Sequence, residues 1–208
     1  MQFTNMIIKN DTIFDDVIII DDVIPTSYQD HLAAAIGSDS FPWYWQKEVV
    51  SYDSSFIKII NDNWIPSYGF SHLFYCKPIN HQSSYHDMIL PMILTACDAV
   101  GKQNLIINRI RGGLLTRISN SISNKHHMPH GDAPAEPKHT TMLYYPVDSD
   151  GDTYMFDKIL DKEHEGSDKS ITITPKKGRA VFFNGLRYHA SSNPTLNDFR
   201  VVINVNLY

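Results

Sequence analysis

Pro175-Lys176-Lys177-Gly178-Arg179-Ala180-Val181-Phe182-Phe183-Asn184-Gly185 reads as a turn, a short apolar run and a second turn. A run of that length between turn residues suits a strand buried on both faces; a helix needs about ten residues or more. The chain leaves the second turn and reaches His189 within a few residues, so the end of a strand can aim an imidazole. Outward from this stretch the texture repeats. Leu105 to Ile110, Leu114 to Ile118, Thr140 to Tyr145, Thr153 to Phe156, Ile171 to Thr174 and Arg200 to Tyr208 are short apolar or alternating runs separated by turn residues. With few helical patterns between them, they predict an antiparallel sandwich or jelly roll.

The first half reads differently. Val17-Ile18-Ile19-Ile20 is a β-branched strand candidate that stops at Asp21-Asp22. Pro25-Thr26-Ser27 opens a helix through about Ile36, with Thr26 or Ser27 as N-cap, Asp30 in the first turn and Gly37 as terminator. Met88, Ile89, Met92, Ile93, Ala96 and Val100 recur at helical spacing between about Ser84 and Val100, with Gly101 as C-cap. Pro91 is expected to kink this helix or to mark its true first turn. Phe41-Pro42-Trp43-Tyr44-Trp45, then Trp64, Tyr68, Phe70, Phe74 and Tyr75, form an aromatic series expected mainly in the core, with a share left for a substrate cleft. The polar stretches Ser119 to Met128 and Asp157 to Lys169 read as loops at the rim.

The expected fold is therefore mainly β (α+β): a single domain whose residues 1–103 form a mixed helix and strand support and whose residues 104–208 form the jelly-roll core. A length of 208 residues suits one core, and 42% hydrophobic with 20% charged residues describes an ordinary globular protein. A net charge of −5 without a dense basic run argues against nucleic-acid and anionic-membrane partners. No stretch approaches the ~18 apolar residues of a membrane span, and the start lacks a secretory pattern, so a cytoplasmic location is expected. Cys76 and Cys97 are too few for a disulfide framework and read as structural thiols.

Three features carry chemistry. In a strand, residues i and i+2 share a face, so His130 and Asp132 of His130-Gly131-Asp132 can present an imidazole and a carboxylate to one point. Such a pair carries little weight alone, because in a chain with ten histidines about one arises by accident. His189, after its buried strand, adds a third donor. The last strand supplies the rest: in Arg200-Val201-Val202-Ile203-Asn204-Val205-Asn206-Leu207 the odd positions are all apolar, and the even ones include Arg200, Asn204 and Asn206. If the odd face packs outward the even face lines a cavity, and a buried guanidinium there requires an anion. Two imidazoles and one carboxylate leave three positions open on an octahedral metal, as in non-haem iron(II) oxygenases. A 2-oxoacid can fill two of them, its far carboxylate meeting the arginine.

These residues, with Leu143-Tyr144-Tyr145-Pro146, Gly151-Asp152-Thr153-Tyr154-Met155-Phe156 and Lys177-Gly178-Arg179-Ala180-Val181-Phe182-Phe183-Asn184-Gly185, make the sequence resemble the Fe(II)- and 2-oxoglutarate-dependent dioxygenases. Within them it is most similar to the prolyl-4-hydroxylase-like group, which includes small bacterial and bacteriophage-encoded members. The resemblance covers residues 104–208 most strongly. It implies a double-stranded β-helix, Fe(II) held by His130, Asp132 and His189, and 2-oxoglutarate held by Arg200, with Tyr145, Thr153 and Asn204 as further cosubstrate contacts. It also implies O2 as co-reactant, ascorbate as an optional reductant, and hydroxylation of a small-molecule or peptidyl, proline-like substrate with release of succinate and CO2. The family's usual Gly-Gly-Glu-Thr-like turn is Gly151-Asp152-Thr153 here, and the interval from His189 to Arg200 is slightly longer than in many relatives.

Other readings stand beside this one. His126-His127-x-x-His130 has spacing that suits zinc, although it explains neither His189 nor Arg200. His31, His72 and His164 read as surface or hydrogen-bonded residues. Arg109, Arg111 and Arg117 suit either contact with substrate or cosubstrate or an exposed strand face. A non-catalytic metal-binding jelly roll, a sensor or structural protein, would use the same ligands without turnover.

Overall fold

The computed structural model describes residues 6–8 (backbone), 14–49, 64–65, 68–119, 125–132, 138–159 and 169–208. In chain order the elements are β1 (Met6–Ile8), β2 (Ile18–Ile20), α1 (Thr26–Ile36), β3 (Tyr44–Gln46), β4 (Trp64–Ile65), β5 (Gly69–Cys76), β6 (His81–Gln82), α2 (His86–Ala99), β7 (Ile107–Thr116) and β8 (His126–His127). They continue with β9 (Thr140–Tyr145), β10 (Thr153–Ile159), β11 (Ser170–Ile173), β12 (Arg179–Asn184), β13 (Arg187–Ser191) and β14 (Phe199–Leu207). A large antiparallel sheet runs β1-β2-β12-β9-β14-β7-β5-β3, with β6 on β5; a small one runs β11-β10-β13. Among the described residues no helix is long and apolar enough to cross a membrane.

At β9 and β12 the large sheet is buried on both faces, which is why these strands read as continuous apolar runs. One face packs against the helices: Met142, Tyr144, Ala180, Phe182, Val201, Ile203, Val205 and Leu207 meet Leu32 and Ile36 of α1 and Ile89, Met92, Ile93 and Ala96 of α2. The other face meets the small sheet: Leu143, Tyr145, Val181 and Phe183 pack with Met155 of β10 and Ile173 of β11. Strand parity thus divides two cores within single strands. Ion pairs tie the first half to the second. Asp21 accepts from Arg179 Nε at 2.7 Å and from Lys176 Nζ at 3.0 Å, and the buried Arg187 pairs with Asp16.

Several sequence expectations change. The runs Leu105 to Ile110 and Leu114 to Ile118 merge at their inner ends into one strand, β7, because Arg111-Gly112-Gly113 runs straight between β5 and β14. Gly112 faces the helix side, where an added Cβ would lie 3.1 Å from the Phe74 and Trp43 rings. Helix α1 begins at Thr26, with Pro25 at its cap and no side-chain cap bond, so Asp30 lies beyond the first turn; it pairs instead with Lys177 Nζ at 2.6 Å. Gly37 does end that helix. Pro91 lies inside α2. Gly101 (φ +71°) closes α2 one residue beyond its Val100 cap; the Gly101 amide bonds Asp98 O and the Lys102 amide bonds Cys97 O, a Schellman closure.

The aromatic series divides. Phe41 and Phe74 are core residues, while Tyr44, Trp45 and Tyr68 are exposed. Residues 157–159 continue β10 and His126–His127 forms β8, so two parts of the expected rim loops are strand; their centres, 120–124 and 160–168, with His164, lie outside the described residues. Both cysteines are unbridged, and burial pushes the Cys97 thiol up to about 11.

Candidate metal centre

His130 and His189 are brought together by the backbone: the His130 amide donates to His189 O and the His189 amide to His130 O, both at 2.9 Å. This single bridge adds the His130 segment beside β13. Asp132 lies in a bend rather than a strand, held by its amide on Gly185 O at 2.8 Å, in the turn that follows β12. One ligand atom from each of His130, Asp132 and His189 lies within 4.8 Å of the others. No other cluster of metal-ligating type occurs among the described residues.

The donor chemistry suits a divalent metal. Nδ1 of His130 faces Met128 O at 3.3 Å and Nδ1 of His189 faces Arg187 O at 3.0 Å, which fixes each ring and leaves Nε2 free. Phe183 packs edge-on against the His189 ring at 5.0 Å. Burial, reinforced by neighbouring His189, pushes the His130 imidazole down to about 4, so its lone pair is unprotonated at neutral pH. Burial acts against ionisation of Asp132, but the two imidazoles, Arg109 and the Asn204 hydrogen bond outweigh it and hold the carboxyl well below the usual carboxylate range.

The two oxygens of Asp132 are distinguished. Oδ2 accepts from Thr141 Oγ1 at 2.8 Å, Asn204 Nδ2 at 2.9 Å and Asn206 Nδ2 at 3.2 Å, whereas among the described residues Oδ1 has only Arg109 Nη2 at 3.8 Å. Asn204 thus supports the carboxylate ligand while also lining the cavity. The sequence points to neither Thr141 nor Asn206 as a support for the metal's carboxylate. Their signal is a polar residue at a fully buried strand position, where a hydrogen-bond partner is obligatory.

Arg200 enters the same cavity from β14 and is buried. Its Nε donates to Gly151 O and its Nη2 to Thr153 Oγ1, each at 2.7 Å; Thr153 Oγ1 in turn meets the Tyr145 hydroxyl at 2.7 Å. The guanidinium carbon lies 5.8 Å from the Tyr145 ring centre. Sequence-predicted Tyr145, Thr153 and Arg200 therefore form one connected group. Gly151 has to be glycine here, because an added Cβ would fall 2.8 Å from Ser192 O and 2.9 Å from Arg200 Cδ. Among the described residues no carboxylate pairs with Arg200. Asp152 attracts the guanidinium only from beyond ion-pair distance, and a buried guanidinium without a paired anion is costly, so the site suits an anion.

The zinc reading of His126-His127-x-x-His130 does not hold. Both ring nitrogens of His127 are taken, Nδ1 by Ser191 Oγ at 3.0 Å and Nε2 by Asn193 Oδ1 at 2.7 Å, and His126 packs between Tyr154 and Phe156. His72 is buried and bonded to Pro42 O and Ser83 Oγ. Arg117 pairs with Asp198 at the surface, while Arg109 and Arg111 line the cavity.

No protein-family model and no curated protein matches the chain. Solved structures do. An oxidoreductase of the 2OG-Fe(II) oxygenase family from Burkholderia pseudomallei aligns over 92% of this chain and 84% of its own at a TM-score of 0.61 and 11% identity. A Pseudomonas putida prolyl-4-hydroxylase aligns over 92% and 91% at 0.55 and 9% identity. The non-heme alpha ketoglutarate dependent epimerase SnoN from nogalamycin biosynthesis aligns over 92% and 78% at 0.59 and 11% identity. On these superpositions the chain has the fold of the Fe(II)- and 2-oxoglutarate-dependent oxygenases, prolyl hydroxylases included.

Proposed function

We propose that the chain is an Fe(II)- and 2-oxoglutarate-dependent dioxygenase that hydroxylates a C–H bond of a small-molecule or peptidyl substrate. The observation that carries this reading is the pairing, in one cavity, of a two-histidine, one-carboxylate triad with a buried arginine that has no carboxylate partner among the described residues. His130 Nε2, His189 Nε2 and Asp132 Oδ1 would hold the metal. Bound there, ferrous iron with 2-oxoglutarate and O2 supplies the oxidising power, and the cosubstrate leaves as succinate and CO2.

The chain's own residues do the rest. Thr141, Asn204 and Asn206 hold Asp132 Oδ2, which turns Oδ1 toward the metal position. Arg200 offers a planar fork to a carboxylate, and Tyr145 and Thr153 keep that fork in place. Leu115, Leu143, Val202 and Ala190 make part of the wall apolar, which limits water at the reacting centre.

The test is succinate formation. The purified protein should release succinate from 2-oxoglutarate only with Fe(II) and O2 present, weakly without a prime substrate and faster with one. Fe(II) and 2-oxoglutarate that bind without producing succinate across a substrate panel would favour the non-catalytic jelly roll.

A further inference from the structure

Strand β7 carries two more arginines into the cavity. Arg109 and Arg111 are two residues apart, so they share a face, and the register sets them opposite Asn206 and Asn204 of β14, on the face that bears Asp132's supporting donors. Both line the cavity, and Arg111 also lines an adjoining groove with Gln46, Glu48, Val49, Ser71 and Leu73. Arg111 is half-buried, yet among the described residues it has no hydrogen-bond or ion-pair partner. Among the described residues Arg109 has only the 3.8 Å approach to Asp132 Oδ1, and its Nε is buried without a partner there. Glu48, at the outer lip of the groove, is exposed.

A charge count follows. Among the described residues that line the cavity, three guanidinium groups, Arg109, Arg111 and Arg200, face one carboxylate, Asp132, an excess of two positive charges. A divalent metal and a doubly charged 2-oxoglutarate cancel each other and leave that excess standing. An arginine cannot shed its proton to relieve it. The excess lies on the β7 side, away from Arg200, where the groove opens toward Val49 and Phe70.

We propose that Arg111, backed by Arg109, binds an anionic group of the prime substrate, which is therefore a small carboxylate- or phosphate-bearing molecule with an apolar portion resting on Phe70, Val49 and Leu115. This rests on the oxygenase reading for its charge count. Arg109 is a positioning residue, set between the substrate anion and the metal's carboxylate ligand.

The probes are 3-phenylpropionate, phenyl phosphate and the neutral 3-phenylpropionamide, titrated by calorimetry into protein saturated with Zn(II) and 2-oxoglutarate. At least one anion should bind about tenfold more tightly than the amide, as expected for charge-assisted hydrogen bonds; whichever anion is tighter identifies the group as carboxylate or phosphate. Arg111→Gln should abolish that preference and Arg111→Lys should retain part of it, with 2-oxoglutarate affinity unchanged in both. Equal binding of anion and amide to the wild type overturns the proposal, as does a preference that survives Arg111→Gln. A preference lost only in Arg200→Gln also overturns it, by placing the probes in the cosubstrate site. Failure of the oxygenase reading is separate: 2-oxoglutarate itself would then not bind the Zn(II)-loaded protein.

Discussion

Replacing Thr141 by valine tests how the metal's carboxylate ligand is held. Thr141 is fully buried on β9, and its hydroxyl donates to Asp132 Oδ2 at 2.8 Å. Valine has nearly the same shape and suits a strand, so the fold should persist. A hydrogen bond to a charged group is worth about 1.5–3 kcal/mol, and loss of a ligand's supporting partner typically costs about 10- to 100-fold in metal affinity. Two donors, Asn204 and Asn206, remain on the same oxygen at 2.9 and 3.2 Å. The lower end applies, so Thr141→Val should weaken Mn(II) or Zn(II) binding about tenfold, or about 1.4 kcal/mol. Calorimetric titration gives the affinity, and circular dichroism of the metal-free protein checks the fold. A folded variant that binds metal within about twofold of wild type would refute the idea that these donors orient the ligand.

Three further outcomes are expected. His130→Ala should abolish metal binding, while Arg200→Gln should leave it intact and raise the 2-oxoglutarate requirement about 100-fold, since a buried ionic contact is lost; parallel metal and cosubstrate titrations distinguish the two. Gly151→Ala should lower both stability and 2-oxoglutarate affinity, because its Cβ would press on Ser192 O and on Arg200 Cδ, with about 1–3 kcal/mol of overpacking read from denaturant unfolding. Asp150 is held down to about 2: burial opposes its ionisation, but the Asn197, Thr195 and Leu196 amides and the Thr195 hydroxyl more than offset it. Its folded-state pKa is depressed, so its stabilisation is complete above the unfolded value near 4 and is lost as pH falls toward about 2. The gap in melting temperature between wild type and Asp150→Ala should therefore be largest near neutral pH and close by about pH 2.

The parity of the last strand is legible in the amino-acid sequence alone. Val201, Ile203, Val205 and Leu207 do face the helices, and Arg200, Val202 and Asn204 do face the cavity. A period of two in a strand admits few alternatives. Registration between distant strands is not legible in the same way. That Asn206 lies opposite Thr141 on one side and Arg109 on the other is set by β9, β14 and β7 coming together, and nothing local encodes it. For the same reason Asn204, expected to contact the cosubstrate, is found on Asp132. The strand break expected within β7 has a different cause. Gly112-Gly113 resembles a turn in sequence, but here it is extended backbone, with Gly112 beside rings that leave no space for a larger side chain.

The paired amides of His130 and His189 give the site a property of its own. Because each histidine's N–H is bonded to the other's carbonyl, the two ligands stand at the right separation through backbone alone, whether or not an ion is present. Metal uptake then closes a gap between side chains already in place rather than drawing two distant segments together. Amide hydrogen exchange at these two positions should be slow in the metal-free protein and slower still once an ion is bound, so the two ligands report local opening of the site directly.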